Sequence, residues 1–406
     1  MAQASGIFKQ IAIKQETTYG ALPTASGAQL LRRVDAAFNL QKDTYESAEL
    51  RTDLQTADMR HGVRSVAGNL NGELSPGSYA PYLGALLKRD FAVVSAQTGL
   101  SLTIASGTLN TWSITRAAGS YLTSGLKIGQ VVRLTAGTFN AANLNKNLFI
   151  VDMTATVITV IVLNGTALVA EGPIATATIS LPGKTTYIPI SGHTDYSYSI
   201  EEWYNDIARS EVFAGCKFTK ASIQLPPTGM ATIAFDVAGK DYGQVPSASR
   251  YFTSPTAALA SGVVASVNGV LRVGGVTLAS VTGLNFDINA DFSGDPVVGS
   301  NVKPSQFAGR VKVTGQFTAY FEDGTLPAAF VGETELAITV ALTTSNDPVA
   351  DFVTFTFSRV KLGGADKNDS EGGVVRTYPF TALLNNAAGA GTAYEQSTMA
   401  IQDSLA

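Results

Sequence analysis

The sequence predicts a mainly β protein: two tandem, related β-domains of sandwich or barrel type with short covering helices, and a small β-domain inserted in the first. Three observations carry this. Glycine (39 of 406 residues) and threonine are abundant, while long runs of Ala, Glu, Lys and Leu that would favour helices are nearly absent. Long stretches alternate apolar with polar or small side chains, the period of a half-buried strand. The longest such stretch, "HGVRSVAGNLNGELSPGSY" at 61–79, returns in character as "AGRVKVTGQFTAYFEDGTL" at 308–326.

In chain order, "VDAAFNLQ" (34–41) reads as a strand that pairs with 62–74. In the latter, Val66, Gly68, Leu70, Gly72 and Leu74 share one face, and Ser65, Ala67, Asn69, Asn71 and Glu73 the other. After the Ser-Pro-Gly corner, Tyr79, Tyr82, Leu83, Leu86 and Leu87 follow helical spacing, with Ser78 as the expected N-cap. Residues 98–183 are strand-like with regular turn signals and read as the inserted β-module. "VPSASRYFTSPTAALASG" is rich in Pro, Ser and Ala and reads as a linker.

Beyond it the pattern repeats. "TGLNFDIN" (282–289) answers 34–41, with Phe286 and Ile288 in the places of Phe38 and Leu40. Val66, Gly68, Leu70, Leu74 and Gly77 are answered at constant spacing by Val313, Gly315, Phe317, Phe321 and Gly324. Val311, Val313, Gly315, Phe317, Ala319 and Phe321 are expected inside, and Lys312, Thr314, Gln316, Thr318, Tyr320 and Glu322 outside. "TLPAAFVG" (325–332) stands where the first helix stood, and Phe355, Val360 and Leu362 answer Phe218, Ile223 and Leu225. The predicted organisation is a first domain from 1–97 and 184–245, the insert at 98–183, a linker at 246–262 and a second domain at 263–406.

Composition limits function. A net charge of −4 argues against a surface that grips phosphate backbones, which needs clustered Lys and Arg. The single Cys216 makes no intrachain disulfide. The start lacks the pattern of a signal peptide, and the longest apolar run, "VITVIVL", is too short to span a bilayer, so a cytoplasmic product without a membrane segment is expected.

No catalytic, cofactor-binding or metal-binding constellation emerges, and the chain is read as no enzyme and without a cofactor. Ser191, His193 and Asp195 in "SGHTD" are close in sequence but lack a strained nucleophile elbow, so a polar loop is the better reading. "LPGKTT" has Thr178 where a phosphate loop needs its first glycine. "DKNDSEGG" (366–373) departs from a calcium loop at Glu371 and Thr377 and reads as a tight hairpin. Cys216 reads as a packed core thiol, and the adjacent Glu201 and Glu202 point to opposite faces of a strand, which disfavours a paired-carboxylate site. From another class, a carbohydrate-binding or adhesive β-sandwich would account for the Thr/Gly-rich strands, although only Trp112 and Trp203 could offer an aromatic platform.

The stretches "GIFKQIAIKQETTYG", "LRRVDAAFNLQKDTYESAELRTDLQ", "RHGVRSVAGNLNGELSPGSYAPYLGALLKRDF", "YSIEEWYNDIARSEVFAGCKFTKASIQLPPTGMATIAFDVAGKD" and "STMAIQDSLA" resemble major tail tube proteins of long-tailed, non-contractile bacteriophages. Within that group the chain is similar to the duplicated-domain type, in which three subunits give a pseudo-sixfold ring; sixfold rings of single-domain subunits are the alternative.

The resemblance implies a virion tail protein, assembled in the host cytoplasm, whose inner sheet joins its neighbours' sheets around a DNA-conducting channel. It also implies a tape measure protein and a tail terminator as partners. On this reading Asn39, Asn69, Asn71 and Glu73 of the first copy and Asn285, Asp287, Gln316, Thr318 and Glu322 of the second line the lumen, where neutral amides and carboxylates do not hold phosphate. The long loops 42–60 and 290–307 would stack rings through Lys42, Asp43, Glu46, Glu49, Arg51, Asp53, Asp58, Arg60, Asp295 and Lys303. The N-terminal arm, 1–30, would reach a neighbouring ring, and the insert would lie outside the tube.

Overall fold

In a computed structural model that describes residues 3–278, 280–368 and 372–406, strands dominate, as composition requires. The chain opens with β1 (Lys9–Gln15) and β2 (Gln29–Leu30), then the hairpin of β3 (Asp35–Glu46) and β4 (Met59–Glu73) and the helix α1 (Ala80–Leu86). Six strands follow: β5 (Gln97–Ser106), β6 (Thr111–Arg116), β7 (Val131–Ala136), β8 (Leu148–Met153), β9 (Val157–Val162) and β10 (Glu171–Ser180). They close into a barrel of their own around Leu102, Ile104, Ile114, Leu134, Ile150 and Val160, where the sequence places an inserted β-module.

Next come β11 (Lys184–Tyr187), β12 (Tyr198–Tyr204), β13 (Arg209–Leu225), β14 (Thr232–Gly239) and β15 (Asp241–Ser247). The later part holds β16 (Gly269–Val273), β17 (Val276–Thr277), β18 (Val281–Ser293), β19 (Phe307–Tyr320), the helix α2 (Thr325–Val331), β20 (Leu336–Thr343), β21 (Phe352–Leu362), β22 (Asp366–Lys367), β23 (Val375–Ala382) and β24 (Ala400–Asp403). β22 and β23 pair antiparallel, as the hairpin reading of 366–373 expects; Glu371 lies outside the described residues.

The two hairpins share one register. Phe38 stands opposite Gly68 and Leu40 opposite Val66, while Phe286 stands opposite Gly315 and Ile288 opposite Val313. Each glycine leaves room for its phenylalanine: a Cβ at Gly68 would sit 2.3 Å from the Phe38 ring, and one at Gly315 would sit 2.8 Å from Phe286 Cβ and 2.5 Å from the Asn285 carbonyl oxygen. Gly68→Ala should therefore cost about 1–3 kcal/mol through overpacking, read as a lower urea midpoint; an unchanged midpoint would refute the packing argument.

β13 is the longest strand, and it serves two layers. Its first half pairs with β12 and β15, its second half with β14 and β18. The result is an unbroken run of seven strands, β3-β4-β14-β13-β18-β19-β23, that crosses from the first hairpin to the second. Beneath it one core holds Phe38, Leu70, Phe235, Ile223, Phe286, Phe317 and Phe380, each buried. A buried side chain of this size contributes about 1.5–3 kcal/mol.

α1 closes the core with Tyr82, whose ring lies 4.7 Å from that of Phe218. The first helical residue follows Tyr79, and Ser78 makes no cap to it; its hydroxyl accepts from Ser75 Oγ instead. Phe321, expected inside, lies past the end of β19 and is half exposed, its ring facing the Arg376 guanidinium at 4.1 Å.

Two expected extensions are built into the body. The N-terminal arm is strand β1, paired with β12 from Lys9 to Gln15 and burying Ile11, Ala12 and Ile13. In the expected linker, Phe252 is fully buried, and the Tyr251 and Phe252 amides donate to Glu201.

Candidate functional site

The seven-strand run has a second, polar face, and the ladders align its side chains across both hairpins. One row reads Asp35, Asn71, Ala234, Ser222, Asp287, Thr314 and Thr381; the next reads Glu73, Thr232, Gln224, Asn285, Gln316 and Pro379. A third runs Ala37, Asn69, Asp236, Lys220, Asn289 and Lys312. Strand alternation places these opposite the buried phenylalanines.

Eight of the nine residues singled out in the sequence for a lumen are thus brought onto this face, none of them buried: Asn39, Asn69, Asn71, Glu73, Asn285, Asp287, Gln316 and Thr318. Glu322 is exposed but follows the end of β19 and sits outside the rows. Sequence reasoning missed the contribution of β13 and β14, namely Lys220, Ser222, Gln224, Thr232 and Asp236. The signal was available, since "TIAFDVAG" alternates as strictly as the hairpin strands.

Charge on this face is arranged against anions. Lys220 pairs with Asp287 at 3.1 Å and Lys312 with Asp291 at 3.5 Å, so both lysines are engaged by carboxylates. Asp35 accepts from the side-chain amides of Asn69 and Asn71 at 3.2 and 3.4 Å. Glu73 and Asp236 add further negative charge. Five carboxylates therefore face Lys220, Lys312 and, at the end of the strand, Arg310, and a surface of net negative charge repels a polyphosphate.

The sheet edges are the second part of the site. On the outer side of β3, Lys9 Nζ donates to the Ala36 carbonyl at 2.6 Å and to Glu202 at 3.0 Å, while the Phe38 amide donates to Glu202 at 3.3 Å. Tyr204 donates its hydroxyl to the other Glu202 oxygen at 2.9 Å. A buried ion pair thus occupies the edge groups that an added strand would use. Glu201 turns the opposite way, as alternation requires, and accepts from Ser210 Oγ at 2.6 Å.

The two hairpin loops are shorter than the sequence indicates, because the strands run on: the loops are 47–58 and 294–306. Lys42, Asp43 and Glu46 lie on β3 and Arg60 on β4, in the part that projects beyond the rows; Glu49, Arg51, Asp53 and Asp58 lie in the first loop. All eight are exposed, and the pairs Arg51–Asp53 and Arg60–Asp58 are local and contribute little. The second loop, with Asp295 and Lys303, lies across the first hairpin: the Arg64 amide donates to the Asn301 carbonyl at 2.7 Å, and Arg64 and Val302 form a parallel bridge.

The motifs set aside as non-catalytic fall elsewhere. Asp195 bridges two nearly buried lysines, Lys88 and Lys217, beside an exposed His193. Cys216 is fully buried, and burial pushes its thiol pKa far up. Trp112 lies in the inserted barrel and Trp203 on β12. No described helix is long and apolar enough to cross a membrane.

No curated protein gives a significant match to the chain. A family model described as phage tail tube protein matches residues 9–382, which takes in both hairpins, the inserted barrel and every strand of the seven-strand run. The match spans nearly the whole chain, and the chain belongs to the phage tail tube protein family.

Proposed function

We propose that the chain is the repeating subunit of a phage tail tube of the non-contractile type, that it carries a duplicated tube domain, and that it self-assembles into stacked rings around a DNA-conducting channel. The observation that carries this is the seven-strand run that passes through both hairpins with an acidic, amide-rich face. The matching registers of the hairpins support the duplication: β3-β4-β14-β13 in the first copy answers β18-β19-β23-β21 in the second.

Each chain then fills two places, and three chains give a pseudo-sixfold ring. The polar face lines the channel, where it lets DNA pass without holding it. Neighbouring chains join side by side, and the exposed loop 47–58 makes contacts between subunits. The inserted barrel, which packs through Val131, Phe149 and Val151 against Ala341 and Phe352, lies outside the tube. The product is a component of the virion tail, assembled in the host cytoplasm, with a tape measure protein and a terminator as partners.

Negative-stain electron microscopy of the purified protein tests this. Hollow filaments or stacked rings with a central channel are expected, with three chains per ring. Dispersed monomers at high concentration would overturn the tube reading, and six full-length chains per ring would overturn the duplication.

A further inference from the structure

We propose that an empty groove beside β19 is the seat for loop 47–58 of a second copy of this chain, which adds a short stretch of backbone to the free edge of β19. The groove encloses about 890 Å³ and is bordered by Ala308, Arg310, Lys312, Thr381, Leu384 and His193. β18 pairs with β19 along its whole length, but β23 joins only from Val313 onward, so the other edge of 307–312 has no partner among the described residues.

The chain itself contains the filled counterpart. In the first hairpin the matching edge of β4, at Arg64, is covered by Asn301 and Val302 of loop 294–306. Arg64 stands opposite Lys42 in its ladder, and Val311 stands opposite Ala290 in the other; these are corresponding places in the two registers. The loop that corresponds to 294–306 is 47–58, and it is free. Leu50 and Leu54 are 100% and 94% exposed, two apolar tips on one loop that a partner surface can take up.

The chemistry of loop and groove is complementary. The loop carries Glu49, Asp53 and Asp58 against a single Arg51; the groove presents Arg310, beside Lys312 with its Asp291 partner, and Ile188, Ile190 and Leu384 as apolar seats for the leucines. The carboxylate on the groove side, Asp195, is held by Lys88 and Lys217. The loop of the same chain already sits at the far end of the run from β19, so the occupant is the next copy.

This inference rests on the ring reading and is tested separately from it. Leu54→Cys and Arg310→Cys are combined in the full chain, and assembled protein is oxidised with copper phenanthroline and run on a denaturing gel. A covalent ladder that stops at the number of chains in one ring is expected, while Leu54→Cys with the remote Val276→Cys should give none. Rings seen by microscopy without that cross-link, or a ladder that continues past one ring, would overturn the docking while leaving the tube reading intact. Absence of rings would overturn the tube reading and the docking with it.

Discussion

Glu202→Ala is expected to destabilise the folded chain by about 3–5 kcal/mol, the cost of removing one partner from a buried ion pair. Lys9 keeps only 12% of its side chain exposed and would lose its direct ion-pair partner. The Phe38 amide and the Tyr204 hydroxyl would lose their acceptor at the same time. Glu202→Gln retains an acceptor for the amide while losing the charge, so an intermediate loss is expected. Urea unfolding read by tryptophan fluorescence measures both. The Ala36 and Phe38 edge groups would also lie open, so the alanine variant should aggregate faster than wild type. A variant within about 1 kcal/mol of wild type would show that the pair is not what fixes β1 to β3.

A loss of about 2–4 kcal/mol is expected for Asp403→Ala. Asp403 closes the far end of the chain onto the Ser-Pro-Gly corner: both carboxylate oxygens accept from the Gly77 amide, at 2.9 and 2.8 Å, and one accepts from the Leu405 amide at 2.9 Å. Gly77 holds φ +76°, a conformation that only glycine adopts freely, so the donor cannot turn elsewhere. Leaving buried donors unpaired costs about 1–3 kcal/mol each.

The same carboxyl sets a pH dependence. Burial pushes the Asp403 pKa up to about 6, against the opposing pull of the Gly77 and Leu405 amides. Below pH about 4 both folded and unfolded chains hold the proton. As pH rises, the unfolded chain releases it first, so stability falls through the window up to about 6 and then levels, by at most about 3 kcal/mol from this group. Asp403→Asn should flatten that slope. Urea midpoints at pH 4.5 and 7 that differ equally in wild type and variant would refute the assignment.

Much of the fold was legible because strand alternation is a local, two-residue signal. It located both hairpins, and the Gly68 and Gly315 positions matched because each must make room for a facing phenylalanine. The polar face was legible for the same reason. What sequence could not give was which strands lie side by side: pairing of β13 with β18 joins residues far apart in the chain, and nothing local encodes it. From sequence, Glu16, Glu201 and Glu202 carry no assigned structural role, yet each is buried as an acceptor; Glu16 alone takes hydrogen bonds from Gly20, Ser197, Ser199 and Gly215. Such roles depend on donors supplied by distant segments. Loop ends were misjudged because β3 and β4 continue past the sheet with both faces exposed, where alternation carries no hydrophobic mark.

The β13–β18 ladder has a kinetic side. Its two strands are tethered in one chain, so that seam closes at an effective concentration set by the connecting segment, independent of how dilute the protein is. A seam between separate chains instead needs a collision and loses translational and rotational freedom on every closure. Dilution should therefore dissolve contacts between chains while the internal seam persists, leaving two joined sheet segments as the smallest unit from which any larger structure regrows.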